Sequence, residues 1–390
     1  MLNTTLARLK CPKSKRSKAN TNNKRCEGSL TLFPKKTHKV RPFSEVFEVS
    51  SGHLQCKKCH AQFPILGGVA LLVHDVHGYI MAHVKGIAQA VPDSEIPKEF
   101  LNDFLEAKEE ILVEHIEEDL EAERVCALYI MNHYLRVHSG GSHSKLQWWK
   151  SQSGSGSALI ESLVEKYWDQ GPFAQIDRWI KKEKDQTQSA GNVVELGCGV
   201  GGLYPILRPQ IQSYLGIDSS FASIAIGRHL ALGIPYQGKI RIPEDLLQGP
   251  VSRQIGIYSP NFYDGEADLV VGDLDSPPIP RGEWDITIAL NTIDMLDEPS
   301  SLPEFQYELL KKNGIAIQSC PYIWHPEVAR KLRKRLPAPL KNSSSAAAEW
   351  LYEKAGFKIE EKQEDLPWLF FKHLRQLEVY SVHAFVARKT

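Results

Sequence analysis

From residue 192 onward the chain alternates between short apolar runs and longer stretches with helical spacing of their apolar positions. The runs are Asn192-Val-Val-Glu-Leu196, Ser213-Tyr-Leu-Gly-Ile-Asp218, Ala267-Asp-Leu-Val-Val-Gly-Asp273, Trp284-Asp-Ile-Thr-Ile-Ala-Leu290 and Gly314-Ile-Ala-Ile-Gln-Ser319. Each is short and dominated by branched aliphatic residues, as a buried strand requires. Leu309-Leu-Lys-Lys-Asn-Gly314 reads as a helix stop before the fifth run. Strands alternating with helices predict an α/β fold with a parallel sheet and right-handed crossovers. Ligands of such a sheet lie outside the carboxyl ends of its strands.

Upstream the pattern changes. Residues 159–182 read as helix, with Leu163, Tyr167, Phe173, Ile176 and Ile180 on one side. Residues 97–137 also read as helix, entered at Pro97, with Phe100, Phe104, Ile111, Ile116, Leu120 and Leu128 among many charges. Tyr129, Met131 and Tyr134 read there as core residues. The Gly/Ser tracts at 138–143 and 151–157 are flexible by composition and flank Trp148-Trp149. Residues 1–77 carry only short apolar stretches, such as Leu30-Thr-Leu-Phe33 and Val46-Phe-Glu-Val49, and read as a small β-rich unit. Three parts are expected: 1–77, a helical linker region at 78–158, and a larger α/β domain at 159–390.

Composition narrows the class. Hydrophobic residues at 42% and charged residues at 24% describe a globular chain, with room for more than one core in 390 residues. Lysines and arginines equal aspartates and glutamates at 47 each, so no global field favours nucleic acid or membrane, and DNA is not an expected partner. The charge is uneven: residues 1–41 are basic with a single acid, Glu27, and 106–123 are rich in Glu. No apolar run reaches the roughly 20 residues of a membrane span, and the N-terminal residues lack the apolar region of a signal peptide. The cytoplasm is the expected location.

The candidate chemistry centres on Glu195-Leu-Gly-Cys-Gly-Val-Gly-Gly202, between the first run and a helix. Glycines let the chain turn tightly and let a ligand lie against bare backbone. Gly197, Gly199 and Gly202 also satisfy the dinucleotide fingerprint. Glu195 separates the two readings. A carboxylate there would face a pyrophosphate unfavourably, but it suits a cofactor bearing a sulfonium and an amino group, as S-adenosylmethionine (SAM) does. Asp218, ending the second strand, fits an acceptor for both ribose hydroxyls in either cofactor class. Cys198 and Cys320 read as small apolar fillers.

Glu195-x-Gly-x-Gly-x-Gly201, Asp218, Gly272-Asp273 and the Asn291 region, in this order, resemble the class I SAM-dependent methyltransferases over about residues 160–390. The resemblance implies a Rossmann-like sheet of seven strands with helices on both faces. It implies a cofactor site of Glu195, Gly197, Cys198, Gly199, Gly201, Asp218, Ser219, Asp273, Leu274 and Asn291, with Asp273 on the adenine amino group and Leu274 on its ring. Ala289 to Pro299, Ser319-Cys-Pro-Tyr-Ile-Trp324 and Asp365-Leu-Pro-Trp-Leu-Phe370 resemble the mercaptohistidine methyltransferase domain of ovothiol biosynthesis. This implies a small-molecule acceptor, such as an imidazole or amino-acid-like nitrogen. Asn291, Asp294 and Tyr322 are the expected catalytic residues, facing the methyl group. Asp294 is the candidate base or amine anchor, and Tyr322 with Trp324 a candidate aromatic wall. His325 and His373 are weaker candidate bases.

Cys56-Lys-Lys-Cys59 has the spacing of two thiolates on one tetrahedral zinc, and Cys11 and Cys26 complete a candidate set of four. Small β-rich units often gain their missing stability from such a metal. The Cys11–Cys26 gap is long, so it reads as a solvated insertion, with His53 and His60 as substitute ligands. Cys11-Pro12, the Cys56–Cys59 pair, Phe63-Pro-Ile65, Gly68-Val69 and Leu72 resemble the zinc-ribbon activator of tRNA and release-factor methyltransferases.

Three functions remain open at this stage. The first is a methyltransferase on a small molecule. The second is one acting on RNA or protein, docked by the zinc unit and by the basic stretch at 330–341. The third is a partner-binding protein that keeps the fold without catalysis.

Overall fold

The computed structural model describes residues 1–15, 24–40, 45–114, 128–130, 132–134, 158–187, 191–232, 236–241, 252–257, 267–373 and 376–390. Both Gly/Ser tracts, Trp148-Trp149, Met131 and the His373 side chain lie outside this set, as does the second half of the Glu-rich run, 115–123.

In chain order, the strands of the first unit are β1 (Ser14–Lys15), β2 (Lys24–Arg25), β3 (Leu30–Lys39), β4 (Phe47–Cys56), β5 (Gln62–Leu66) and β6 (Val69–Leu72). Helices α1 (Val76–Ala82), α2 (Val84–Ala90) and α3 (Leu101–Glu114) follow. The stretch expected as one helix at 159–182 is two, α4 (Ala158–Tyr167) and α5 (Pro172–Thr187). Pro172 cannot continue a helix from before it but suits the first turn of a new one. Then come β7 (Asn192–Leu196), α6 (Tyr204–Leu207), β8 (Ser213–Asp218), α7 (Phe221–Ala231), β9 (Tyr236–Arg241), β10 (Ser252–Ile257), β11 (Ala267–Gly272) and β12 (Trp284–Leu290). The chain ends with α8 (Ser301–Leu309), β13 (Leu310–Cys320), α9 (Pro326–Arg335), α10 (Ser344–Lys354), β14 (Phe357–His373) and β15 (Gln376–Lys389). No described helix is long and apolar enough to cross a membrane.

The main sheet has eleven strands in the order β14-β15-β13-β12-β7-β8-β11-β6-β5-β4-β3. It therefore departs from seven strands. β11 through β13 run parallel, and β15 and β14 add antiparallel at one edge. At the other edge β6 joins β11 in parallel, pairing Leu71 with Val271 and Leu72 with Gly272. The first unit thus continues the sheet of the second, because the edge of β11 has free backbone groups to offer. β9 and β10 form a separate antiparallel pair.

Burial matches the apolar runs. Val193, Val194, Ile217, Val270, Val271 and Ile288 are fully buried, as in a sheet covered on both faces. A polar clamp fastens the edge junction. Arg228 Nε donates to Asp268 Oδ1 at 2.8 Å, and its Nη1 donates to Glu48 Oε1 at 2.8 Å. Asp268 Oδ2 accepts from the Leu2 amide at 2.7 Å and the Thr5 hydroxyl at 2.6 Å. Burial alone would raise the Asp268 pKa, but the Arg228 guanidinium overrides it and holds the carboxyl at about 2.

β13 ends at Cys320, opposite His383, whereas the β14–β15 ladder runs on to His373 and Gln376. The last part of that hairpin therefore overhangs the carboxyl end of the sheet.

Candidate active site

β7 pairs with β8 on one side and β12 on the other, so the chain reverses its winding at the end of β7. A cleft opens there, as at other topological switch points. The cavity above it is about 1060 Å³ and is lined by Glu195, Gly197, Cys198, Gly199, Asp218, Ser219, Asp273, Leu274 and Asn291 among others.

The loop after β7 is held in shape by its glycines and by Asp218. Gly197 (φ 76°) and Gly199 (φ 53°) occupy the left-handed region. A Cβ on Gly197 would lie 2.6 Å from Thr292 Oγ1, whereas one on Gly199 would meet nothing within 4 Å. The Gly199 amide donates to Asp218 Oδ2 at 2.8 Å, and the Ser220 amide donates to Oδ1 at 2.8 Å. Two accepted bonds leave a carboxylate further lone pairs for a ligand. Glu195 is 3% exposed, and the Tyr214 hydroxyl donates to its Oε2. Burial pushes the Glu195 carboxyl up to about 8. The Asp218 carboxylate adds to the rise, against the Tyr214 hydrogen bond. Burial likewise raises Asp218 and Asp273 above the usual carboxylate range.

Three expected site residues stand elsewhere. Gly201 is absent from the cavity wall, and a Cβ there would press on Leu269 Cδ2 at 2.9 Å. Asp294 is buried, and its Oδ2 accepts from the Ile323 amide at 2.7 Å, tying together the loops after β12 and β13. Tyr322 is also off the wall; its hydroxyl pairs with His383 Nδ1 at 2.7 Å and its ring stacks on Trp324. Asn291 does line the cavity, with φ 51° and an Oδ1 that is buried without a hydrogen-bond partner.

Other lining residues were not expected. Tyr129, read as core, is 38% exposed and stands on the cavity wall with His133, Phe173 and Trp368. Their rings touch in sequence, His133 with Phe173 at 5.1 Å and with Tyr129 at 5.5 Å, and Tyr129 with Phe370 at 5.5 Å. Tyr134, by contrast, is buried, and its hydroxyl donates to Val200 O at 2.7 Å. Pro12 and His74, from the first unit, line the cavity beside Asp273 to Ser276. Ser276 Oγ donates to Pro12 O at 3.0 Å, the Lys10 amide to Pro278 O at 2.7 Å, and Tyr79 Oη to Ser219 O at 2.6 Å.

The four N-terminal cysteines converge despite the long gap, because β1 and β2 pair and close the insertion as a hairpin. Their sulfurs all lie within 4.8 Å of one another, with Cys11–Cys59 at 3.6 Å and Cys26–Cys56 at 3.7 Å. A zinc with bonds of ~2.3 Å spaces its sulfurs by about 3.8 Å, so the set fits one. The Lys58 and Cys59 amides point at Cys56 Sγ at 3.3 and 3.5 Å, a further fit to a thiolate. Neither substitute histidine belongs to the cluster; His53 stacks on Phe33 instead.

A family profile described as "Methyltransferase domain" matches residues 167–362, half of the chain. The chain belongs to this methyltransferase domain family. Comparison with curated proteins gives no match. Among solved structures, the chain is similar to the complex of the Haloferax volcanii Trm112 methyltransferase activator with a methyltransferase. That match has 15% identity, covers 54% of this chain and 94% of the other, and has a TM-score of 0.34. It is also similar to magnesium protoporphyrin IX methyltransferase of Synechocystis with bound S-adenosylhomocysteine, at 15% identity, 69% and 100% coverage and a TM-score of 0.37. A third similar structure is the [4+2]-cyclase SpnF, at 14% identity, 55% and 80% coverage and a TM-score of 0.33.

Proposed function

We propose that the protein transfers a methyl group from SAM to a small-molecule acceptor. The observation that carries this reading is Glu195, a buried carboxyl on the wall of a cavity that the adjoining Gly197 and Gly199 also line. A neutral or anionic ligand would gain at most a hydrogen bond from the protonated acid, whereas a cationic one draws its proton off and pairs with the carboxylate.

Bound SAM would supply a methyl group on a cationic sulfur. The chain's own residues bind and orient. Glu195 faces the cationic end, Gly197, Cys198, Gly199 and Ser219 leave room along the loop, and Asp218 accepts from the ribose. Asp273 and Leu274 take the adenine. Pro12 and His74 complete that wall, so the first unit contributes to the pocket. Four thiolates, Cys11, Cys26, Cys56 and Cys59, hold a zinc that fixes the position of Pro12. This gives a zinc-bearing unit at 1–77, a connecting region at 78–158 and a catalytic domain at 159–390.

The acceptor lies between Asn291 and the rings of Tyr129, His133, Phe173 and Trp368. Flat aromatic walls suit a planar nitrogen ring such as imidazole, in keeping with the ovothiol-type resemblance. Asn291 Oδ1, buried without a partner, accepts a hydrogen from that acceptor and aims its nucleophilic atom. Asp294 and Tyr322 act at one remove, by fixing the loops beside Asn291. Holding two reactants in register is the main source of rate in such a site.

The test is methyl-labelled SAM, the purified full-length chain and a cell extract, separated afterwards into small-molecule, RNA and protein pools. Label is expected in the small-molecule pool. Label in RNA or protein would reassign the acceptor, and SAM bound with no pool labelled would sink the catalytic reading.

A further inference from the structure

We propose that His383, Glu349 and Glu364 form a second metal site, for a divalent transition cation, at the foot of the overhanging hairpin. The three residues come from different elements: Glu349 from α10, Glu364 from β14 and His383 from β15. One ligand atom from each lies within 4.8 Å of the others. His383 Nε2 is 3.3 Å from Glu349 Oε1 and 3.8 Å from Glu364 Oε1. A tetrahedral ion with metal–ligand bonds of ~2.1 Å spaces its nitrogen and oxygen ligands by about 3.4 Å, so small shifts would close the set.

Proximity of acids alone would not make a site. The second observation is His383 itself. Its side chain is 2% exposed, and Nε2 is buried with no hydrogen-bond partner while facing both carboxylates. A buried ring nitrogen left in that state is costly, and a cation between it and the two acids removes the cost. The other ring nitrogen is already engaged, since Nδ1 pairs with Tyr322 Oη at 2.7 Å. Ligating histidines have such an outer partner, which fixes the ring and its tautomer and presents the free nitrogen to the metal.

Backbone geometry brings Glu364 to the cluster. The β14–β15 register slips between Gln363 and Leu366, and Asp365 lies at φ 57°. Such a bulge re-aims a side chain next to a site. Glu364 is about half exposed, so the remaining coordination positions open to water. Lys362 is the competing cation. Its Nζ lies 2.9 and 3.1 Å from the Glu349 oxygens, but the side chain is more than half exposed and free to turn to solvent. Carboxylate and imidazole donors suit zinc, cobalt or nickel, in contrast to the thiolate set at the other end of the molecule.

Bound there, the ion would join α10, β14 and β15, and through Tyr322 the loop after β13 that Asp294 grips. The cluster is independent of the methyl acceptor, and its test needs none.

The full-length protein, with its four-cysteine site already filled with zinc, is titrated with Co2+ alone and followed by calorimetry and absorption. One further equivalent is expected, with visible d–d bands and no thiolate charge-transfer band. Glu364→Gln, at an exposed position, is expected to keep the wild-type Tm without added metal and to bind Co2+ about tenfold more weakly or worse. His383→Ala is expected to abolish binding, and Lys362→Met to strengthen it. If His383→Ala does not fold, Glu364→Gln decides. Absence of a further equivalent, thiolate bands on the added cobalt, or unchanged binding in Glu364→Gln would each overturn the site.

Discussion

The Asn132 side chain pairs with the backbone of Phe371 in both directions, accepting from its amide at 2.7 Å and donating to its carbonyl at 3.0 Å. The contact joins a helical segment beside the glycine loop to the overhanging hairpin, across 239 residues of sequence. Asn132 is fully buried, so truncation would strand an amide and a carbonyl. Asn132→Ala is expected to destabilise the fold by about 1–3 kcal/mol. It should also raise the KM for the acceptor more than that for SAM, since the hairpin carries Trp368. Thermal melting and steady-state kinetics check both, and an unchanged Tm would show the pairing to be dispensable.

The two loop glycines should fail in different ways. Gly197→Ala combines left-handed backbone with a clash against Thr292, so it is expected to lower Tm sharply. Gly199→Ala carries only the backbone strain, of about 1–2 kcal/mol, and its methyl enters open cavity. That variant should melt near the wild type yet bind SAM at least tenfold more weakly by calorimetry. Equal SAM affinity in Gly199→Ala would move the cofactor off this loop.

SAM affinity should depend on pH through Glu195. In the free protein its carboxyl is raised to about 8 and is protonated at neutral pH. Binding a cation favours the ionised form, so a proton leaves on binding below that value. Affinity then rises with pH by up to about tenfold per unit and levels off above pH 8. SAM's own amino group titrates nearby, so the comparison is with Glu195→Gln, which should lose this component. Calorimetry in buffers of different ionisation enthalpy counts the released proton, and identical pH profiles in the two proteins would refute the linkage.

Acid should loosen the junction between the two parts of the sheet. Asp268 is held at about 2, below the ordinary ~3.9 of an unfolded aspartate. A depressed carboxyl stabilises the fold above the unfolded value and loses that contribution as pH falls towards the folded one. The window is therefore from about pH 4 down to about pH 2, with an effect on the order of 2–3 kcal/mol. Asp268→Asn leaves Arg228 buried beside fewer charges and is expected to lower Tm at pH 7 while shrinking the further fall in that window. Melting curves at pH 7, 4 and 2 test this.

Zinc removal should weaken SAM binding even though the cysteines stand apart from the glycine loop. Cys11 immediately precedes Pro12, which lines the cavity and accepts from Ser276. Chelation, or Cys56→Ser, is expected to lower both Tm and SAM affinity. Full SAM affinity in a metal-free protein that remains folded would confine the metal to a local role.

The parallel strands were legible as short aliphatic runs. In β7, β8 and β11 the run also ends at or beside a glycine or an acid, so that Glu195, Asp218 and Asp273 lie together on the cavity wall; β12 and β13 end at Leu290 and Cys320. Helical periodicity placed Tyr129 on an inward face but could not tell a packed interior from a hollow one. Asp294 and Tyr322 follow strands that end at the site, yet each turns to a neighbour that only the fold supplies, Ile323 N and His383. Nothing in the sequence set Pro12 or His74 on the cavity wall, because that place depends on β6 meeting β11 through two residue pairs. A bond between edges is made by backbone, which every sequence has.

That short junction has a consequence for how the protein behaves on dilution. Between separate chains, two rungs of ladder and a buried ion cluster would form a complex that comes apart as concentration falls. Here the partners are one polypeptide, and each sees the other at an effective concentration on the order of millimolar whatever the concentration of the protein. Loss of one contact then shifts an internal equilibrium between docked and undocked forms. Specific activity should stay constant from micromolar to nanomolar protein, and a cut between the two parts should make it fall with dilution.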